Sequence, residues 1–139
     1  MMDVEQLLEA LNARLIHRPE ILFAYVHGSL VDGIMPFRDV DVALYVDPAW
    51  GREHDLFTYE TKLAVELTRA LRSDVQSKVP VDVHVLNTSP LSFQLHVIRD
   101  GRLLFVHDEE SWFNFREHTI RHAMDMAPLI ALYRKELVR

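Results

Sequence analysis

The segment Asp39-Val40-Asp41-Val42-Ala43-Leu44-Tyr45-Val46 constrains the chain more than any other, because it sets two carboxylates at the head of an otherwise apolar run. Its β-branched and aromatic content predicts a strand, closed by Asp47-Pro48. Residues two apart on a strand share a face, so Asp39 and Asp41 lie side by side while Val40 points into the opposite layer. Two adjacent carboxylates repel, and hard divalent cations that prefer oxygen ligands relieve the repulsion. The pattern predicts a magnesium site.

Two further segments read as strands. Ile21-Leu22-Phe23-Ala24-Tyr25-Val26 is short, apolar and ends at Gly28. Val81-Asp82-Val83-His84-Val85-Leu86 alternates strictly, with the valines on one face and Asp82 and His84 on the other. Arg102-Leu103-Leu104-Phe105-Val106 adds a fourth. Helical periodicity is clear over 3–17, with Asp3 and Gln6 resembling a capping box, and over about 55–72, where Leu56, Leu63, Ala64, Leu67, Ala70 and Leu71 form one stripe. Ser89-Pro90 predicts a helix start and Asp100-Gly101 its end. From Asp108 onward the sign order of the charges suits one more helix, which Pro128 is expected to kink or divide. The segment 30–38, with Gly33 and Pro36, reads as a loop or short helix. The fold class is therefore α/β (α+β): a mixed sheet of about four strands flanked by helices, in a single domain over 1–139.

The charge balance narrows the function. Net charge is -6 with histidines neutral, and no dense Lys/Arg cluster is present, which disfavours a broad nucleic-acid surface. A small nucleotide carried with its metal fits better. Cysteine is absent, so disulfides and thiolate chemistry are excluded. No apolar run has bilayer-spanning length and the N-terminus lacks a signal pattern, so the expectation is a cytoplasmic protein with neither secretion nor membrane span.

Asp82 is a lone carboxylate among valines, and it would complete a three-carboxylate cluster with Asp39 and Asp41 or act as a general base. Gly28-Ser29 follows the first strand, where glycine permits close backbone approach and serine can cap a helix or contact a phosphate. The order is an apolar strand, Gly28-Ser29, nine residues, Asp39-x-Asp41, an apolar strand and a later isolated Asp82. It resembles the nucleotidyltransferase superfamily of the DNA polymerase beta type, in particular its minimal members. Among these, a chain of this length is similar to the antitoxins of HEPN/MNT toxin-antitoxin pairs.

That resemblance implies a protein adenylyltransferase that moves AMP from ATP, with Mg2+, to a tyrosine of a HEPN-family ribonuclease toxin. It implies metal ligation by Asp39 and Asp41, with Asp82 as a further ligand or base, and triphosphate contact at Gly28 and Ser29. Two departures stand out: Arg38 occupies a position often held by serine, and the spacer, which carries Asp32, is one residue shorter than in many members. Asp32 repels phosphate, whereas Arg38 attracts it. The alternatives are a catalytically silent antitoxin of the same fold that acts by binding, with the C-terminal helix as interface, and a small-molecule nucleotidyltransferase of the aminoglycoside type.

Other residues carry weaker signals. His27 abuts Gly28 and His84 shares the face of Asp82; both read as structural or as supporting neighbours of the site. Arg116 and His122 reproduce the Arg-x5-His spacing of the HEPN ribonuclease motif by coincidence, and Trp112, Phe113 and Phe115 read as core and interface.

Overall fold

The computed structural model describes residues 3–28, 30–31, 33 and 38–137. Along the chain run α1 (Val4–Leu15), β1 (Ile21–His27), β2 (Val40–Val46), α2 (Pro48–Arg52), α3 (Leu56–Val75), β3 (Val81–Val85), α4 (Leu91–Asp100), β4 (Arg102–Val106) and α5 (Glu109–Leu137), with a 3-10 turn at Leu86–Thr88. The strands form one mixed sheet in the order β3-β2-β1-β4, which agrees with the expected α/β (α+β) class. β1 pairs antiparallel with both β2 and β4, whereas β2 and β3 are parallel. A parallel pair needs a long crossover, and α3 supplies it.

Strand alternation divides the interior into two layers. On one face Ala24, Val26, Val40, Val42, Leu44, Val81 and Val83 pack with Leu7, Leu11 and Leu15 of α1 and Leu63, Leu67 and Leu71 of α3. Full burial of each such leucine contributes about 1.5–3 kcal/mol. On the other face a smaller cluster gathers Phe23, Tyr25, Ala43 and Leu86 beneath Val97 of α4 and Phe115 of α5. Phe23 stacks on Tyr45 with centroids 4.9 Å apart, and Phe115 lies within 5.5 Å of both rings. Trp112 donates its indole N–H to the Tyr25 hydroxyl at 2.8 Å, which ties α5 to β1.

Several ends follow local chemistry. Asp3 caps α1 through the backbone N–H of Glu5, and Asp55 caps α3 through Phe57 and Thr58. Gln76 closes α3 in the left-handed conformation. On the edge strand β3, the backbone N–H of Val85 is taken up by the Glu60 carboxylate at 2.8 Å, which blunts that edge.

Among the described residues, the structure departs from the sequence reading in several places besides small shifts of helix and strand ends. β2 begins at Val40, one residue after Asp39. Asp47-Pro48 does more than close β2: Asp47 caps the short α2, with Pro48 at its first turn. Ser89 does not cap α4, because its hydroxyl donates to the Val85 carbonyl at 2.8 Å and Pro90 takes the cap position. Pro128 lies within α5 and does not divide it. The segment read as a loop or short helix falls largely outside the described residues.

Candidate active site

The site lies on the second face of the sheet, where the apolar cluster gives way to polar side chains. Asp41 is in register with His27 across the antiparallel β1/β2 pair and with Asp82 across the parallel β2/β3 pair. Laterally paired residues project to the same side, so His27, Asp41 and Asp82 form a row across three strands. His84 stands two residues beyond Asp82, in register with the small Ala43. The opposite parity is held by Val40, Val42, Val81 and Val83 in the first core. A one-residue slip would bury the carboxylates, so that core fixes where they point.

Ligand atoms of Asp41, Asp82 and His84 all lie within 4.8 Å of one another. His84 Nε2 is 3.0 Å from Asp82 Oδ2, and the two side chains are 40% and 55% exposed, which leaves the group open to a ligand from solvent. Asp39 precedes β2 and is half-buried. It does not join that three-residue group, but its charge reaches Asp41.

Asp41 registers the crowding. Burial, then the charges of Asp39 and Asp82, push its carboxyl up to about 6, against an opposing pull from His84; a hydrogen bond with Asp39 adds to the rise. His27 is shifted the other way. Its imidazole is 6% exposed, and burial, followed by His84 and His96, holds it at about 4 despite the nearby Asp82 and Asp39. Its Nε2 has no hydrogen-bond partner among the described residues. Phe93 of α4 packs edge-on to His27 at 5.2 Å and against His84 at 5.1 Å, which holds both rings.

Gly28 turns the chain out of β1 with φ +85° and its carbonyl accepts from Val31 N–H at 3.1 Å. A Cβ at this position would collide with the Asp41 carboxylate. Glycine is thus required twice, by backbone conformation and by space. Ser29, the other half of the expected phosphate cradle, lies outside the described residues, as does Asp32.

The donors suit a divalent cation: carboxylates drawn close enough to resist ionising together are stabilised by the charge that would bind them. His84 was foreshadowed by alternation, since it shares the face of Asp82, but its closeness to both aspartates depends on the β2/β3 register. The grouping of His84, His96 and Phe93 around His27 brings together three elements, and no short sequence window contains it.

Residues 9–110 match the family described as Polymerase beta, Nucleotidyltransferase. The chain belongs to this nucleotidyltransferase family. The match spans β1, β2 and β3, and therefore Gly28, Asp39, Asp41 and Asp82. No curated protein matches in sequence. Among solved structures, the nucleotidyltransferase resembles a chain of a toxin-antitoxin with AMP-PNP at 19% identity and TM-score 0.69, covering 99% of this chain and 100% of that one. It resembles a chain of the tri-AMPylated Shewanella oneidensis HEPN toxin in complex with MNT antitoxin at 18% identity and TM-score 0.70, with the same coverage. A third likeness, at 16% identity and TM-score 0.70 with the same coverage, is to a toxin-antitoxin MntA-HpeT mutant in which two aspartates are exchanged for glutamate. These likenesses describe the fold across nearly the whole chain. No helix among the described residues is long and apolar enough to cross a membrane.

Proposed function

We propose that this chain, acting as a single domain over 1–139 in the cytoplasm, is a Mg2+-dependent adenylyltransferase that moves AMP from ATP to a tyrosine hydroxyl of a HEPN-family toxin. The observation that carries the proposal is the meeting of Asp41 and Asp82 on one sheet face beside Gly28, with the Asp41 carboxyl raised by burial and then by its acidic neighbours. The solved neighbours named for AMP-PNP and for a tri-AMPylated HEPN toxin support the choice of nucleotide and acceptor.

Each residue has a role in this reading. Asp39 and Asp41 hold Mg2+, and Gly28 with Ser29 lets the triphosphate approach the backbone. Asp82 serves as a further ligand or as the base that orients and deprotonates the acceptor hydroxyl. Bound Mg2+ supplies charge neutralisation on the phosphates. The tyrosine oxygen forms a bond to the α-phosphorus while the bond to the bridging oxygen breaks, and pyrophosphate leaves. The proton passes to Asp82 or to solvent.

The test is incubation of the purified chain with labelled ATP, Mg2+ and the product of the neighbouring gene, which the proposal requires to be a HEPN protein, followed by intact-mass analysis of that protein. The expected product gains one or more AMP groups on tyrosine. A stable complex without added nucleotide would replace the proposal with neutralisation by binding alone.

A further inference from the structure

The grouping of Asp41, Asp82 and His84 contains a nitrogen donor, and this separates it from a site built of carboxylates alone. Neighbouring ligands of an octahedral ion with bonds of about 2.1 Å sit about 3.0 Å apart. His84 Nε2 and Asp82 Oδ2 stand 3.0 Å apart, so the pair already has the spacing of two adjacent ligands. Packing of Phe93 at 5.1 Å against the His84 ring holds the imidazole in place, as a rigid ligand requires. A surface ion pair between Asp82 and His84 alone would not require Asp41 within reach of both. Here Asp41 faces them from the adjacent strand in parallel register.

We propose that His84 is a direct ligand of the ion held by Asp82, so that Asp41, Asp82 and His84 form a mixed oxygen-nitrogen site that takes Mn2+ in preference to Mg2+. The proposal rests on the metal-dependent reading above and adds His84 to the ligands which that reading draws from Asp39, Asp41 and Asp82. Mg2+ favours an all-oxygen shell and gives up water reluctantly, whereas imidazole suits first-row transition ions.

The test uses the full chain with Mn2+ alone, because a nucleotide would bring its own nitrogen. Pulsed electron paramagnetic resonance of bound Mn2+ is expected to show 14N coupling from a directly ligated imidazole. The coupling is expected to vanish in His84→Gln and to remain in His27→Gln. Calorimetric titration is expected to show Mn2+ affinity falling about tenfold or more in His84→Gln, with Mg2+ affinity changing much less. Bound Mn2+ without 14N coupling in the unaltered protein overturns ligation by His84 and leaves the metal-dependent reading intact. Coupling that survives His84→Gln, or equal losses for both metals, likewise overturns it. Mn2+ that fails to bind, or binds undiminished in Asp41→Asn, overturns the proposal and the metal assignment together. The spectrum of the unaltered protein decides the matter even if a variant folds poorly.

Discussion

On the α1/α3 side of the sheet, Val40, Val42, Val81 and Val83 are sealed beneath Leu11, Leu63 and Leu67. On the other side, the same two strands present Asp41, Asp82 and His84, partly open to water. The faces differ by a step of one residue along the chain. The difference teaches that the valines hold the carboxylates in place: burial on one side fixes the register, and register alone sets Asp41 opposite Asp82. Stability and chemistry are thus assigned to opposite parities of the same strands.

The comparison can be broken by substitutions that touch one face only. The largest effect is expected from Asp39→Asn with Asp41→Asn, which should lower AMP transfer by about a thousandfold or more. Its metal-free unfolding midpoint in urea should be no lower than that of the parent, since repulsion is removed. A transfer assay and a denaturation curve on the same preparation check both halves. Leu67→Ala should do the reverse, losing about 3 kcal/mol in urea unfolding while the folded protein keeps its metal affinity by calorimetric titration. If Leu67→Ala altered metal affinity as strongly as stability, the two faces would not be separable.

Gly28→Ala lies between these cases. A side chain forced to positive φ costs about 1–3 kcal/mol, and here it also displaces the Asp41 carboxylate. Both a lower melting temperature and weaker metal binding are expected, the first by calorimetry and the second by titration.

The smallest effect, and the one that resolves the site most finely, is in pH. The folded Asp41 carboxyl at about 6 lies above its ordinary 3.8, so its stabilising contribution is present below about 4 and is lost as pH rises to about 6. The folded His27 imidazole at about 4 lies below its ordinary 6.5, so its contribution is present above about 6.5 and is lost as pH falls to about 4. The slopes oppose one another in the metal-free protein. Asp41→Asn should therefore leave stability that rises with pH between about 4 and 6.5, and His27→Gln should leave stability that falls between about 4 and 6. Urea midpoints across that range would show whether the signs separate.

Most of the fold was legible because its signals are local. The parity of Val81, Val83 and Val85 against Asp82 and His84 predicts β3 and its two faces, and the leucine stripe predicts α3. The four-stranded mixed sheet and the positions of Asp41 and Asp82 on it followed from the same patterns, whereas Asp39 falls just before β2 rather than on it. What escaped depends on choices between local options. Asp47 and Pro48 read equally well as a strand stop or a helix cap, and the hydroxyl of Ser89 turned back to the end of β3 rather than forward to α4. Pro128 was weighed by its lost hydrogen bond, yet the helix runs on across it. In the site, the meeting of His84 with Asp41 needed the strand pairing, which no spacing within one segment encodes.

The passage of α5 through Pro128 has a consequence of its own. The helix has 29 residues and is about 44 Å long. Its first half is anchored by Trp112, Phe115 and Thr119, whereas Leu129, Ile130, Leu132 and Tyr133 stand well exposed. Proline gives no amide hydrogen to the carbonyl of Met124, so the ladder is interrupted where tertiary support fades. Amide protons around Phe115 can exchange with deuterium only when the second core opens, while those after Pro128 need only local fraying. In exchange lifetimes α5 is therefore two helices of unequal persistence joined at one residue.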